Sequence, residues 1–249
     1  MQIGLNLRPV ADVKADALVV FGFQDARPQL DLPPMRWINE LYDSGEFTGE
    51  RFSLAVLHQP EGLRARRLVL TGCGKQAEFD SARLRLATAA AIRSLKSKAI
   101  KRLALLPDPA SPAVASIAAA VEGALIGAYE PDRYKTDPKK EESRVESFSV
   151  VVPGGGDHAL ERALQRGRAI AESQNFARDL AAEPGNRLTP MGLAEAAGRM
   201  AAEFGLPCEI LDRERMRQLG MGALLGVAQG SAEPPALIIL RYRPAAAVE

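Results

Sequence analysis

The chain has 249 residues, about 1.7 times a typical domain, so it excludes a lone mini-domain and suggests two compact units or one large one. Hydrophobic residues make up 47% and charged residues 25%, a balance that allows a sizeable core and excludes wholesale disorder. Thirty-two Lys plus Arg against 31 Asp plus Glu leave a net charge of +1, too small to draw the whole molecule onto nucleic acid or an acidic membrane.

The first twenty residues carry acids early and only a short apolar run from Ala17 to Phe21, unlike a signal peptide or membrane anchor. No later stretch approaches the roughly eighteen uninterrupted apolar residues of a spanning helix. Cys73 and Cys208 lie far apart and outside any CxxC, which argues against a disulfide framework and a cysteine-built metal site. A reducing, cytoplasmic location is expected.

Apolar, β-branched runs at 17–23, 52–58, 67–72, 102–107 and 147–153 alternate with helical patterns, so the fold class is α/β with a mainly parallel sheet covered on both faces. Ser81 opens one helix with Leu84, Ala87, Ala91 and Leu95 on its inner face. Ser111 caps a second, with Pro112 at its first position and Val114, Ile117, Val121 and Leu125 as its buried stripe. Gly154-Gly155-Gly156-Asp157 reads as a flexible joint and a helix cap, leading into a long helix to about Ala182. The expected organisation is therefore an N-terminal domain over 1–153, a joint and linker helix over 154–182, and the opening part of a further α/β domain over 183–249.

In that last part Glu183-Pro184-Gly185-Asn186 stops the long helix and Thr189-Pro190 starts another, ending near Gly205. A strand at 207–211, a helix opened by Asp212, a glycine-punctuated segment at 220–230 and a strand at 236–242 follow. The last strand is apolar on both alternating faces apart from Arg241, the pattern of an interior strand of a parallel sheet. Without a successor it would leave backbone and apolar faces open, so this second unit is expected to be unfinished.

Local motifs carry little chemistry. Gly72-Cys73-Gly74-Lys75 sits between a strand and a helix, but Val69 and Gln76 stand where a Walker loop needs Gly and Ser or Thr, which favours a tight turn over a phosphate cradle. Gly220, Gly222, Gly226 and Gly230 miss GxGxxG spacing, and close packing of small residues is the stronger reading. His58 and His158 form no HExxH pair, and no GxSxG elbow occurs. Asn175, Arg178, Asp179 and Glu183 share a helix face that could bind a polar partner. They fit better as ties to the following turn, with Phe176 and Leu180 packing inward. The one charge asymmetry is the stretch 81–102, where Arg83, Arg85, Arg93, Lys96, Lys98, Lys101 and Arg102 meet no acid. It reads either as a phosphate-facing helix for DNA or RNA or as a solvated face balanced by acids such as Glu40, Asp43, Glu46 and Glu50.

Three phrases together resemble the leucyl aminopeptidase (cytosol aminopeptidase) family. They are Glu122-Gly123 through Tyr129 with Asp132-Arg133-Tyr134-Lys135-Thr136; Asn175-Phe176-Ala177-Arg178-Asp179-Leu180 with Pro184, Asn186, Leu188, Thr189 and Pro190; and Leu219-Gly220-Met221-Gly222 with Gly230-Ser231 and Pro234-Pro235. The resemblance spans the chain. It implies a macro-like N-terminal domain before a catalytic α/β domain, and release of N-terminal amino acids from peptide substrates by two divalent metals, typically zinc, manganese or magnesium, in a hexamer.

The resemblance also implies a metal-binding lysine in a GKG-type phrase, an FDxGG aspartate and an NTDAEGR-type phrase beyond the strand that ends at Tyr242. Residues 243–249 follow instead. The clusters Glu141-Glu142 and Asp212 with Glu214 are not placed opposite one another by any pattern. No catalytic, cofactor-binding or metal-binding residue therefore carries over. The chain is expected to be an N-terminal portion of such a peptidase, inactive alone. The alternatives are a non-enzymatic macro-like protein that binds nucleic acid or a nucleotide, or a scaffold subunit without catalysis.

Overall fold

The protein is described by a computed structural model covering residues 1–96, 100–131, 134 and 144–243. Lys98, Asp132, Arg133, Lys135, Thr136, Glu141, Glu142 and 244–249, singled out above, lie outside the described residues. The chain divides into two compact units, Met1–Phe176 and Ala177–Glu249.

In the first unit β1 (Gln2–Asn6), β2 (Ala17–Gly22), β3 (Leu54–His58), β4 (Arg67–Gly72), β5 (Arg102–Leu105) and β6 (Ser147–Val151) form one sheet in the order β1-β6-β5-β2-β4-β3. All neighbours are parallel except β3, which runs antiparallel to β4 at the margin. Both faces of β2 are buried, as its unbroken apolar run requires. Val19 and Phe21 point to one core with α2 (Ser81–Leu95) and α3 (Ala113–Gly127), whereas Leu18 and Val20 point to a second with Ile38 and Leu41 of α1 (Met35–Ser44). β1 had no counterpart among the expected strands. It is a half-exposed edge strand in which Gly4 interrupts the apolar pattern.

The helix starts follow their sequence signals in several places. Asp80 caps α2 by accepting from the Arg83 N–H, and Asp157 accepts from the Leu160 N–H at 2.8 Å at the start of α4 (His158–Ala182). Two helix crossings depend on missing side chains. A Cβ on Gly123 of α3 would lie 2.3 Å from the Arg85 carbonyl oxygen of α2, and one on Gly167 of α4 would lie 2.5 Å from that of Ala118 in α3.

Two expected contacts are corrected. Ser111 does not cap α3, whose N-cap position is held by Pro112 without a side-chain cap, and Val114 is 49% exposed. Val114 lies in the first turn, over a groove lined by Ser81, Ala82 and Arg85 of α2 and Ile170 of α4, so its face is not over the sheet. Phe176 is 41% exposed instead of packing inward. The buried stripe of α4 is Leu160, Ala163, Leu164, Gly167 and Ala171. Past it Asn175 Nδ2 donates to the Leu125 carbonyl near the end of α3, and that supporting helix then stops.

The second unit contains α5 (Pro190–Glu203), β7 (Cys208–Leu211), α6 (Arg213–Gln218), α7 (Gly222–Val227) and β8 (Leu237–Leu240). Thr189 caps α5 with Pro190 at its first turn, and Asp212 caps α6 by accepting from the Arg215 N–H at 2.8 Å. β7 and β8 form a two-stranded antiparallel ribbon. The expected interior parallel pairing for 236–242 is thus not what β8 makes with its neighbour; it is half-exposed along Leu237–Ile239, and Leu240 is exposed. The buried apolar residues here are mainly alanines of α5 with Leu211 and Met216. Close packing at Gly220, Gly222, Gly226 and Gly230 is also corrected, since a Cβ at each would meet nothing within 4 Å. These glycines flank or build a short helix whose Leu224 and Val227 are exposed.

Candidate functional site

The turn after β4 spends its polar groups on the protein itself. The Cys73 N–H donates to the Gly22 carbonyl, the Gly74 N–H to that of Gly49, and the Gln76 N–H to Asp25 Oδ1 at 2.7 Å. Gly74 needs its positive φ of 81°, and a Cβ on Gly72 would lie 1.9 Å from the Glu50 carbonyl oxygen. The segment Gly72-Cys73-Gly74-Lys75 is therefore a tight turn in which the N–H groups of Gly72, Cys73 and Gly74 are committed to backbone carbonyls, so they are not converged on a phosphate. The Cys73 thiol is buried, and that burial raises its pKa far above the usual range, as does the nearby Asp108.

Of the six described cations of the basic stretch 81–102, five, all but Arg93, have carboxylate partners. Arg83 pairs with Glu78, Arg85 with Glu122 of α3, Lys96 with Glu130, Lys101 with Glu146 and Arg102 with Asp16. The run that lacks acids in sequence is thus matched by carboxylates in space, though not by the acids at 40–50 named above. These pairs tie α2 to α3 and to the ends of the sheet strands, so the cations serve contacts within the fold.

Asp16 is the most constrained of these acids. It precedes β2 and accepts from the Lys101 N–H at 3.1 Å, the Arg102 N–H at 2.9 Å and the Arg102 guanidinium at 3.2 Å. Burial pushes its carboxyl up, but the Arg102 and Lys101 donors outweigh it and hold the group below the usual carboxylate range. Around it Lys14, Arg64, Arg66 and Arg102 line a shallow hollow, with Asp12 and Asp16 as counter-charges.

A more concave site lies at the opposite, carboxyl end of the parallel strands. From β2 the chain winds to β3 and β4 on one side, while from β5 it winds to β6 on the other, so β2 and β5 flank a topological switch point. Crevices at that place are where open α/β sheets receive ligands. Here the loops after β1, β2, β5 and β6 border a half-open crevice of about 570 Å³. Its walls are mainly Val10, Leu30, Leu32, Leu106, Ile117 and Val151, with prolines at the rim. The polar side chains among the lining residues are Asp31, Asp108 and Ser111; none is Lys, Arg or His. Asp108 follows β5 and accepts from Ser111 Oγ at 3.4 Å. Burial raises its carboxyl above the usual range, opposed by donors from Ser111 and Ala110.

His58 ends β3 and His158 begins α4, both exposed and on separate elements. Among the described residues no three His, Cys, Asp or Glu side chains gather as a metal site would require. Asp212 and Glu214 serve α6 itself, as its cap and as a partner of Arg217. The described side chains therefore do not fit a two-metal centre. No described helix is long and apolar enough to cross a membrane. The cavity escaped sequence reading because its walls come from four segments, at 9–11, 30–33, 106–117 and 151–153, none of which has a motif.

Comparison with known proteins adds the family context. Residues 23–138 match the cytosol aminopeptidase family, N-terminal domain, and residues 175–249 match the cytosol aminopeptidase family, catalytic domain. A probable cytosol aminopeptidase of Solibacter usitatus is 48% identical over 98% of this chain and 49% of its own length. That of Koribacter versatilis is 36% identical over 99% of this chain and 53% of its own. Among solved structures, a tomato leucine aminopeptidase mutant superposes with a TM-score of 0.80 at 25% identity, covering 96% of this chain and 50% of that one. The bottromycin maturation enzyme BotP in complex with Mn does so with a TM-score of 0.73 at 27% identity, covering 93% and 46%. The chain spans about half the length of these relatives.

Proposed function

We propose, from the premise that this chain belongs to the cytosol aminopeptidase family, that it serves as the N-terminal portion of a leucyl aminopeptidase-like metallopeptidase. In this reading 1–153 is the macro-like domain, 154–182 the joint and linker helix, and 183–249 the opening of the catalytic domain. The observation that carries the proposal is the order of the two family matches on a chain that spans about half the length of its relatives. The parent activity is release of N-terminal amino acids from peptides in a cytoplasmic, oligomeric enzyme. Two divalent metals, manganese or zinc, would polarise the scissile carbonyl and activate water.

This chain alone is inactive in that reading, because its described carboxylates and histidines do not converge. The second unit supports the same conclusion. Ile210, Leu219, Leu224, Val227 and Leu240 are each at least 40% exposed around a core built largely of alanine, apolar surface of the kind that further protein covers.

The test is a chimera in which this chain replaces the matching 245 residues of the Solibacter usitatus relative. Manganese-dependent hydrolysis of a leucyl amide by the chimera, with none by the isolated chain, is the expected result. A folded chimera that is inactive while the relative is active would overturn the reading.

A further inference from the structure

We infer that the crevice at the carboxyl ends of β5 and β6 binds a small apolar molecule carrying a cationic amine. Four observations lead there. The cavity holds about 570 Å³, the size of small-molecule sites. It opens beside the switch point of the sheet, over the carboxyl ends of β5 and β6, the end of an open α/β sheet where ligands are received. Its walls are mainly apolar, with Val10 and Leu30 half-buried at the surface and Leu32, Leu106, Ile117 and Val151 packed beneath, a lining that an aliphatic group can cover. Its charged side chains are two carboxylates, Asp31 and Asp108, with no basic side chain among the lining residues.

The last point fixes the sign of the ligand. A phosphate or carboxylate entering this crevice would meet like charge and lose its water without a counter-ion. An ammonium group would meet Asp108, whose carboxyl is partly desolvated and has Ser111 and Ala110, both uncharged, as its donors. Pairing there neutralises a poorly solvated charge while the hydrocarbon covers the aliphatic walls. The same chemistry is presented by a free branched amine and by the N-terminal residue of a peptide with an aliphatic side chain.

The full chain is titrated by calorimetry and by protein-observed NMR with isoamylamine, leucinamide and isovalerate. The first carries the ammonium alone, the second adds the carboxamide of a peptide N-terminus, and the third replaces the cation by an anion on the same branched chain. Saturable binding of both amines with a Kd in about the millimolar range, and none of isovalerate, is expected. Tighter binding of leucinamide assigns the peptide end, and tighter binding of isoamylamine assigns the free amine. Asp108→Asn weakens either by about tenfold or more. Ala113→Phe, at an exposed lining position of the first turn of α3, blocks the crevice without touching the core and decides the matter should Asp108→Asn fail to fold. Isovalerate binding as well as the amines, amine binding unchanged in both variants, or no saturable binding of either amine would overturn the inference.

Discussion

Replacing Asp16 by alanine should loosen the first unit at the amino-terminal edge of its sheet. The Asp16 side chain is 10% exposed and joins the start of β2 to the start of β5 through two backbone N–H groups and the Arg102 guanidinium. Truncation strands those donors, and loss of hydrogen bonds to a charged acceptor costs about 1.5–3 kcal/mol each before water compensates. Because Lys101 and Arg102 are exposed residues, solvent recovers part of this, leaving about 2–3 kcal/mol in total. The depressed carboxyl sets the pH dependence. Its stabilisation is complete above the ordinary unfolded carboxylate range and is lost as pH falls through the lower folded value. Urea unfolding followed by Trp37, the single tryptophan, reads the first unit selectively. The wild-type advantage should be full at pH 7 and shrink below about pH 4. A difference under about 0.5 kcal/mol at pH 7, within the range of ordinary surface substitutions, or one independent of pH, would refute the reasoning.

Gly123→Val should destabilise the α2–α3 crossing by at least about 1–3 kcal/mol, since its Cβ would lie 2.3 Å from a carbonyl oxygen; the midpoint of thermal unfolding checks this. Tyr42→Phe should cost about 1–3 kcal/mol, because the hydroxyl both donates to the Phe23 carbonyl at 2.8 Å and accepts from its N–H at 2.9 Å. Urea titration by Trp37 fluorescence measures it, and an unchanged midpoint would contradict the clamp. Cys73, buried and with its thiol pKa raised, should resist a thiol reagent in the native protein while the more exposed Cys208 reacts; equal rates would contradict the burial. Hydrogen exchange should be slowest in β2, β4 and β5 and faster across β7 and β8, and uniform protection would count against a weak second unit.

Much of the fold was legible where one residue does one local job. Asp157, Thr189 with Pro190, and Asp212 announce helix starts because a short side-chain oxygen has to meet free N–H groups there. The apolar run at 17–22 declares a strand covered on both sides. β1 was hidden because an edge strand needs only half an apolar pattern. Val114 and Phe176 misled because helical periodicity gives a face but not where the neighbouring helix ends. The partners of the charge run at 81–102 were hidden for a related reason, since Glu122, Glu130 and Glu146 are distant in sequence and adjacent in space. The family phrases were legible as words. The crevice was not, because no single segment contains enough of it to form a pattern.

The most direct measurement is hydrolysis of a leucyl amide by the purified chain with saturating manganese or zinc, alongside calorimetric titration of each metal. No turnover, and no pair of tightly held divalent ions, is the expected result. Metal-dependent turnover that co-purifies with the chain and disappears on chelation would contradict the reading of this polypeptide as an N-terminal portion that is inactive on its own.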